Sequence, residues 1–110
     1  MTAESPCRFI SPSPPPTERE REVAEVIAEE AAEVIQRATK LLRFGVHEVQ
    51  PGQPYDNAWR LGLEIGDLVE IVELAVAEGL VQRDAIAAGR SRKRRQLATF
   101  LQTDPEAKRC

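Results

Sequence analysis

Residues 28–45 read AEEAAEVIQRATKLLRFG, and the placement of their acids decides the fold. At about 100° per residue, Val23, Ile27, Val34 and Leu41 form one apolar stripe of a helix, yet Glu30 falls inside that stripe and Glu33 at its margin. A carboxylate directed at the core of its own domain must be neutralised there or give up its charge, because burying an unpaired charge is costly.

Upstream, Thr17 followed three residues later by Glu20 has the spacing of a capping box, so the helix begins there and runs to about Leu42, with a stop at Gly45. The preceding SPSPPP at 11–16 cannot be helical, and residues 1–16 are expected to form a flexible, Pro-rich arm. Downstream, VHEVQPGQPYD reads as a connecting loop, and Asp56 is a candidate N-cap for a second helix through Glu78, closed by Gly79. Leu61, Ile65, Leu68, Val69, Val72 and Val76 line one face of that helix, while Leu63, Ile71 and Leu74 occupy much of another. Such a helix needs cover on two sides. Gly62 and Gly66 would let a neighbouring helix come close.

LVQRDAIAAG then reads as a short third helix ending near Gly89, and Ser91 as the cap of a fourth, RKRRQLATFLQ, ending before Pro105. No segment shows strand alternation. The expected fold is all-α: two long antiparallel helices plus two short ones in a helical domain at 17–103, with a short C-terminal tail at 104–110. Its surplus apolar surface points to self-association, a dimer completing a four-helix bundle.

Composition is ordinary for one soluble domain: 110 residues, 42% apolar and 30% charged. Apolar runs are too short to span a membrane, and no secretory or lipidation signal stands at either end, so a cytoplasmic location is expected. Cys7 and Cys110 fit neither a disulfide framework nor a zinc site and read as free thiols. The net charge of −3 conceals a separation: seven Glu between 18 and 33, and five cations in RSRKRR at 90–95. Charge so divided suggests an acidic site facing a basic one.

The second helix repeats the oddity of the first, for Glu64 and Asp67 lie about 60° apart, flanked by Leu63, Ile71 and Leu74. EEAAE and EIGD thus each offer two inward carboxylates three positions apart. Four such groups in one cleft would repel and protonate unless a cation joined them. Few Lys or Arg point that way, apart from Arg37 and Lys40. A hard divalent ion such as Mg²⁺, with Mn²⁺ as a substitute, is the economical partner. Glu18, Glu20, Glu22, Glu25 and Glu73 read as a solvated face.

EEAAE followed by EIGD resembles the EExxE and ExxD signature of the MazG-like all-α nucleoside triphosphate pyrophosphohydrolases. The likeness spans roughly residues 20–102, and KLLRFG and KRRQLATFLQ resemble the small phage and bacterial branch. It implies Mg²⁺-dependent hydrolysis between the α and β phosphates of a nucleotide, giving a monophosphate and pyrophosphate. Glu30, Glu33, Glu64 and Asp67 would hold the metal, and Glu29 together with Glu33 would form the catalytic pair, Glu29 orienting or deprotonating water. The interval between the motifs, with HEVQPGQPYD inserted, is long for the family, and substrate choice is expected to lie there.

Lys40, Arg43, Lys93 and Arg94 are the candidate phosphate contacts, the last two supplied across a dimer, and Asn57 is a candidate base or ribose contact. Trp59 reads as a core or helix-staple residue, with stacking on a base as the alternative, Phe44 as packing, and His47 as having no catalytic role. No GxxxxGKS/T or GxGxxG loop occurs. The expected partners are a nucleotide substrate and further copies of the chain, as homodimer or homotetramer, with no membrane and no nucleic acid. The rival class is a nucleic-acid-binding or regulatory helical dimer that uses RSRKRR against phosphates.

Overall fold

The computed structural model describes residues 13–101 and 103, with three helices, α1 (Glu18–Phe44), α2 (Asn57–Ala77) and α3 (Arg83–Phe100), and no strand among the described residues. Residues 13–16 precede α1 without helical structure. The remainder of the expected arm, the tail at 104–110 and both cysteines lie outside the described residues.

α1 starts where its capping box places it. Glu20 N–H donates to Thr17 Oγ1 at 3.0 Å, and Thr17 N–H donates to Glu20 Oε1 at 2.9 Å, so two otherwise unpartnered donors are satisfied reciprocally. The helix ends at Gly45, whose φ of 108° is open to glycine and strained for other residues. α2 is capped by Asp56, whose Oδ1 accepts from Trp59 N–H at 2.9 Å. It closes at Gly79, φ 81°, with Leu80 and Val81 N–H both turned back onto the Ala75 carbonyl.

α1 and α2 form an antiparallel hairpin, closed at both ends by side chains. Arg19, in the first turn of α1, pairs with Glu78 at the end of α2 at 2.6 Å. At the other end, Asn57 of α2 donates to the Gly45 carbonyl after α1 at 2.8 Å. Val23 and Ala75 are the buried apolar residues, and Arg37 and Asn57 the buried polar ones. These four mark the line of contact. Val26, Ile27, Val34, Leu41, Leu61, Leu68 and Ile71 are half-buried along it.

Both helices keep an apolar face that nothing among the described residues covers. On α1 it is Ala24, Ala28, Ala31, Ile35, Ala38 and Leu42, with Ile35 67% and Leu42 83% exposed. On α2 it is Ala58, Gly62, Ile65, Val69, Val72 and Val76, with Ile65 and Val69 exposed. Both series alternate steps of four and three, the spacing of a coiled-coil seam. Among the described residues, no atom outside its own surroundings lies within 4 Å of a side chain built at Gly62 or Gly66, so none of the described helices exploits either glycine.

The two short helices expected after Gly79 are one continuous helix. Gly89 lowers helix propensity by up to about 1 kcal/mol, but Ala85, Ala87, Ala88 and the Arg and Lys that follow are strong helix formers whose sum prevails. Ser91, expected to cap a new helix, instead accepts from Arg95 Nη1 at 3.0 Å. α3 buries no residue, and its link to the hairpin is an ion pair at its root, Arg83 Nη2 to Glu73 Oε1 at 2.7 Å. Glu73 is therefore paired as well as solvated. No helix among the described residues is long and apolar enough to cross a membrane.

Candidate functional site

Three of the four acids expected to hold a metal come together. Glu30 of α1 and Glu64 and Asp67 of α2 each offer a carboxylate oxygen, and the three oxygens lie within 4.8 Å of one another. The placement follows from the local sequence: Glu30 occupies the stripe that faces α2, and the i,i+3 spacing of Glu64 and Asp67 turns both toward α1. Glu30 and Glu64 are half-buried, and Asp67 is exposed.

Glu64 registers the crowding. Burial is the largest cause pushing its carboxyl above the usual range, followed by the charges of Glu33, Asp67 and Glu30, while Arg37 acts the other way. A cation bound by the three carboxylates would relieve this repulsion. The donor set is oxygen throughout, with no Cys or His, as a hard divalent ion requires.

Glu33 is exposed and stands outside the group of three, although among the charges it is the largest influence raising Glu64. Glu29 lines a neighbouring groove of about 370 Å³ with Val26, Ile71 and Leu74. That groove shares Val26, Ile71 and Leu74 with a second of about 480 Å³ bearing Glu30 and Asp67. The acids therefore border one apolar-floored surface, on the side of the hairpin away from the coiled-coil seams.

Arg37 was not among the expected site residues. It lies one turn beyond Glu33 and two beyond Glu30, on the buried line between the helices, at 8% exposure. Its Nη1 is buried and has no hydrogen-bond partner among the described residues. An unsatisfied buried N–H costs about 1–3 kcal/mol. The signal was available in the sequence, for position 37 falls within the Val23, Val34 and Leu41 stripe that drew attention to Glu30.

Beyond Arg37, Lys40 and Asn57 meet at a cavity of about 230 Å³, lined also by Phe44, Glu48, Gln50 and Pro51. The inserted loop builds its outer wall and is firmly tied. Asn57 N–H donates to the Glu48 carbonyl at 3.1 Å and Ala58 N–H to the Val46 carbonyl at 3.0 Å, while Asn57 Nδ2 also reaches Glu48 Oε1 at 2.9 Å. Arg60 Nη1 holds Gln50 Oε1 at 3.1 Å. Asn57 thus commits both side-chain protons to the loop.

The remaining candidates are dispersed. Arg43 lies over the Phe44 ring at 5.3 Å, and Lys40 Nζ at 5.7 Å. Lys93 and Arg94 line a surface of α3 with Gly89, Arg90 and Leu97, without any of the clustered acids. His47 Nδ1 bonds Asp56 Oδ2 at 2.9 Å and so supports the α2 cap. Trp59, expected in the core, is 57% exposed, its ring 5.4 Å from that of Tyr55.

The fold and the site define an all-α helical hairpin with a carboxylate cluster between its helices. No family model, curated protein or solved structure matches this chain.

Proposed function

We propose that the protein is a Mg²⁺-dependent nucleotide pyrophosphohydrolase of MazG-like type, acting in the cytoplasm and cleaving a nucleoside triphosphate between its α and β phosphates. The observation that carries this reading is the convergence of Glu30, Glu64 and Asp67 from two helices to within 4.8 Å, in the order and helical setting of the EExxE and ExxD motifs. Mg²⁺, or Mn²⁺ in its place, would supply screening of phosphate charge and stabilisation of the leaving pyrophosphate. Glu30, Glu64 and Asp67 would hold the ion, with Glu33 reaching in from the margin. Glu29 and Glu33 would orient the attacking water and accept its proton. Lys40 would hold phosphate at the mouth of the Asn57 cavity.

Self-association belongs to the same proposal. The seams containing Ile35 and Leu42 on α1 and Ile65 and Val69 on α2 would pair with those of a second copy, giving a four-helix bundle in a homodimer, or in a homotetramer built from two such dimers. The acids would remain on the outer sides.

The decisive experiment is a panel of nucleotides incubated with Mg²⁺ and scored for pyrophosphate and monophosphate, with Glu33→Gln and Asp67→Asn alongside. Turnover that is lost in both variants while helicity persists supports the assignment; full turnover in either removes it.

One observation favours a second reading. α3 stands off the hairpin with Arg90, Arg92, Lys93 and Arg94 in no ion pair with an acid among the described residues, a surface suited to nucleic-acid phosphates. Salt-sensitive binding of DNA or RNA, lost when Arg92, Lys93 and Arg94 are neutralised, would establish that role; no binding at low salt would dismiss it.

A further inference from the structure

Tyr55 and Trp59 build a groove that neither the acidic cluster nor the Lys40 cavity explains. Their ring centroids lie 5.4 Å apart with the rings tilted by 33°, and Trp59 is 57% and Tyr55 48% exposed. With His47, Val49, Pro54 and Asp56 they line a surface groove of about 340 Å³. The chain thus leaves its single Trp and single Tyr open to water side by side, as at an interaction surface. The walls are preformed. Asp56 accepts from the Trp59 N–H at 2.9 Å and bonds His47 at 2.9 Å, while the carbonyls of Val46 and Glu48 are tied to Ala58 and Asn57. A groove held in this way costs little ordering when it is filled.

The chemistry of the walls selects the occupant. No Lys or Arg lines the groove and Asp56 is an acid, so nothing there would hold the phosphates of a nucleotide. The tilt of the rings makes a wedge, of which a flat base would cover one wall. A pyrrolidine ridge touches both, and aromatic-lined grooves take proline-rich segments in the polyproline II conformation. Such a segment stands in this chain. SPSPPP at 11–16 sets Pro12 and Pro15 at PxxP spacing, on one edge of a helix with three residues per turn. Ser13–Pro16 are exposed and outside any helix.

Length decides which copy supplies it. The run ends at Pro16, joined to Thr17, the N-cap of α1. The 27 residues of α1 measure about 40 Å, and the groove lies beyond its far end, beside the bond between Asn57 and Gly45. Six residues of polyproline II span only about 19 Å, so the run cannot reach the groove of its own chain. When two hairpins pair isologously in opposed directions, Thr17 of one comes level with the Gly45–Asn57 end of the other. Trp59 is turned about 100° from Ala58, which begins the α2 seam, so that pairing leaves the groove open.

We infer that the groove at Tyr55 and Trp59 takes the proline run of a second copy, so that two chains exchange N-terminal arms and each clasps the loop end of the other's hairpin. The inference rests on the proposed self-association for its second copy and on no part of the catalytic assignment.

The test uses the full chain. In an equimolar mixture of isotope-labelled and unlabelled wild type, NMR contacts filtered across the label boundary should join the Trp59 indole of one copy to proline ring protons of the other. In an arm variant carrying Pro12→Ser and Pro15→Ser these contacts should vanish, and acrylamide should quench Trp59, the only tryptophan, more strongly. A synthetic peptide of residues 10–17 should bind the arm variant in calorimetric titration, and adding Trp59→Ala should raise its Kd at least about 10-fold, as truncation of an aromatic anchor does. Trp59 is exposed, so that substitution spares the fold, as helicity will show. A monomeric wild type overturns both the exchange and the pairing of seams, whereas a dimer without cross-copy contacts overturns the exchange alone. A peptide Kd indifferent to Trp59→Ala overturns it too. So does quenching of Trp59 by a nucleotide with no peptide binding, which would make the groove a base site. Cross-copy contacts in a protein that hydrolyses no nucleotide sustain the exchange and reject the proposed catalysis.

Discussion

Asn57 and Gly45 are joined by a 2.8 Å hydrogen bond from the Asn57 side-chain amide to the Gly45 carbonyl, tying the first turn of α2 to the end of α1. The second proton of the same amide holds Glu48. One buried side chain thus fixes both the mouth of the hairpin and the loop that walls the Lys40 cavity.

Asn57→Ala leaves the Gly45 carbonyl without this donor and should destabilise the fold by about 1–3 kcal/mol in urea unfolding. The loop should loosen too, seen as faster amide hydrogen exchange at Ala58, whose N–H is bonded to Val46. Unchanged stability and exchange would show that the loop is held by other means.

Glu64→Gln separates charge repulsion from metal binding. Because the folded Glu64 carboxyl titrates above its unfolded value, the favourable contribution of its protonated form is full below the unfolded value and is lost as pH rises through the folded one. At neutral pH without metal the variant should therefore melt higher than the wild type. Added Mg²⁺ should stabilise the wild type more than the variant, and turnover should fall by more than about 100-fold. Equal Mg²⁺-induced shifts in melting temperature would remove Glu64 from the metal site.

Asp56 governs the acid limb of stability in the opposite sense. The hydrogen bond from His47 is the largest cause holding its carboxyl below the ordinary aspartate value, and the Trp59 N–H is the next. Its stabilising contribution is full above the unfolded value and lost as pH falls through the lower folded one. Asp56→Asn keeps a good cap but does not titrate, so its stability between about pH 5 and about pH 2 should fall less steeply than that of the wild type. Parallel acid limbs for the two proteins would refute this.

Ala75 is wholly buried, and its carbonyl receives the turn after α2. Ala75→Leu should overfill the contact with α1 and cost about 1–3 kcal/mol in urea unfolding. A neutral effect would indicate that the hairpin can spread there.

On the proposed pairing of seams, the wild type should be oligomeric by light scattering and Val69→Glu, on the uncovered seam of α2, monomeric with helicity retained. Oligomers of unchanged mass would place the interface elsewhere.

Much of this was legible in the sequence because it depends on local chemistry. Thr17 with Glu20, Asp56, Gly45 and Gly79 are short-range punctuation, and each marks a helix end. Glu30, Glu64 and Asp67 could be placed because helical period alone assigns them to facing stripes. What escaped depends on summed or tertiary terms. The single α3 results from many small propensities outweighing Gly89, which no one residue announces. Trp59 looked like core by its size, but with two long helices in contact only one line of each is covered. In the sequence Arg37 reads as pointing toward the acids, but only packing reveals that it is buried with an unmatched nitrogen.

The rooting of α3 has a mechanical consequence. Eighteen residues make a rod about 27 Å long, attached at one end through Gly79 and the Glu73–Arg83 pair. A rotation of about 10° at that pivot carries Phe100 through about 5 Å. Whatever grips the far end of this lever thereby sets the bearing of five positive charges with very little distortion at the fulcrum.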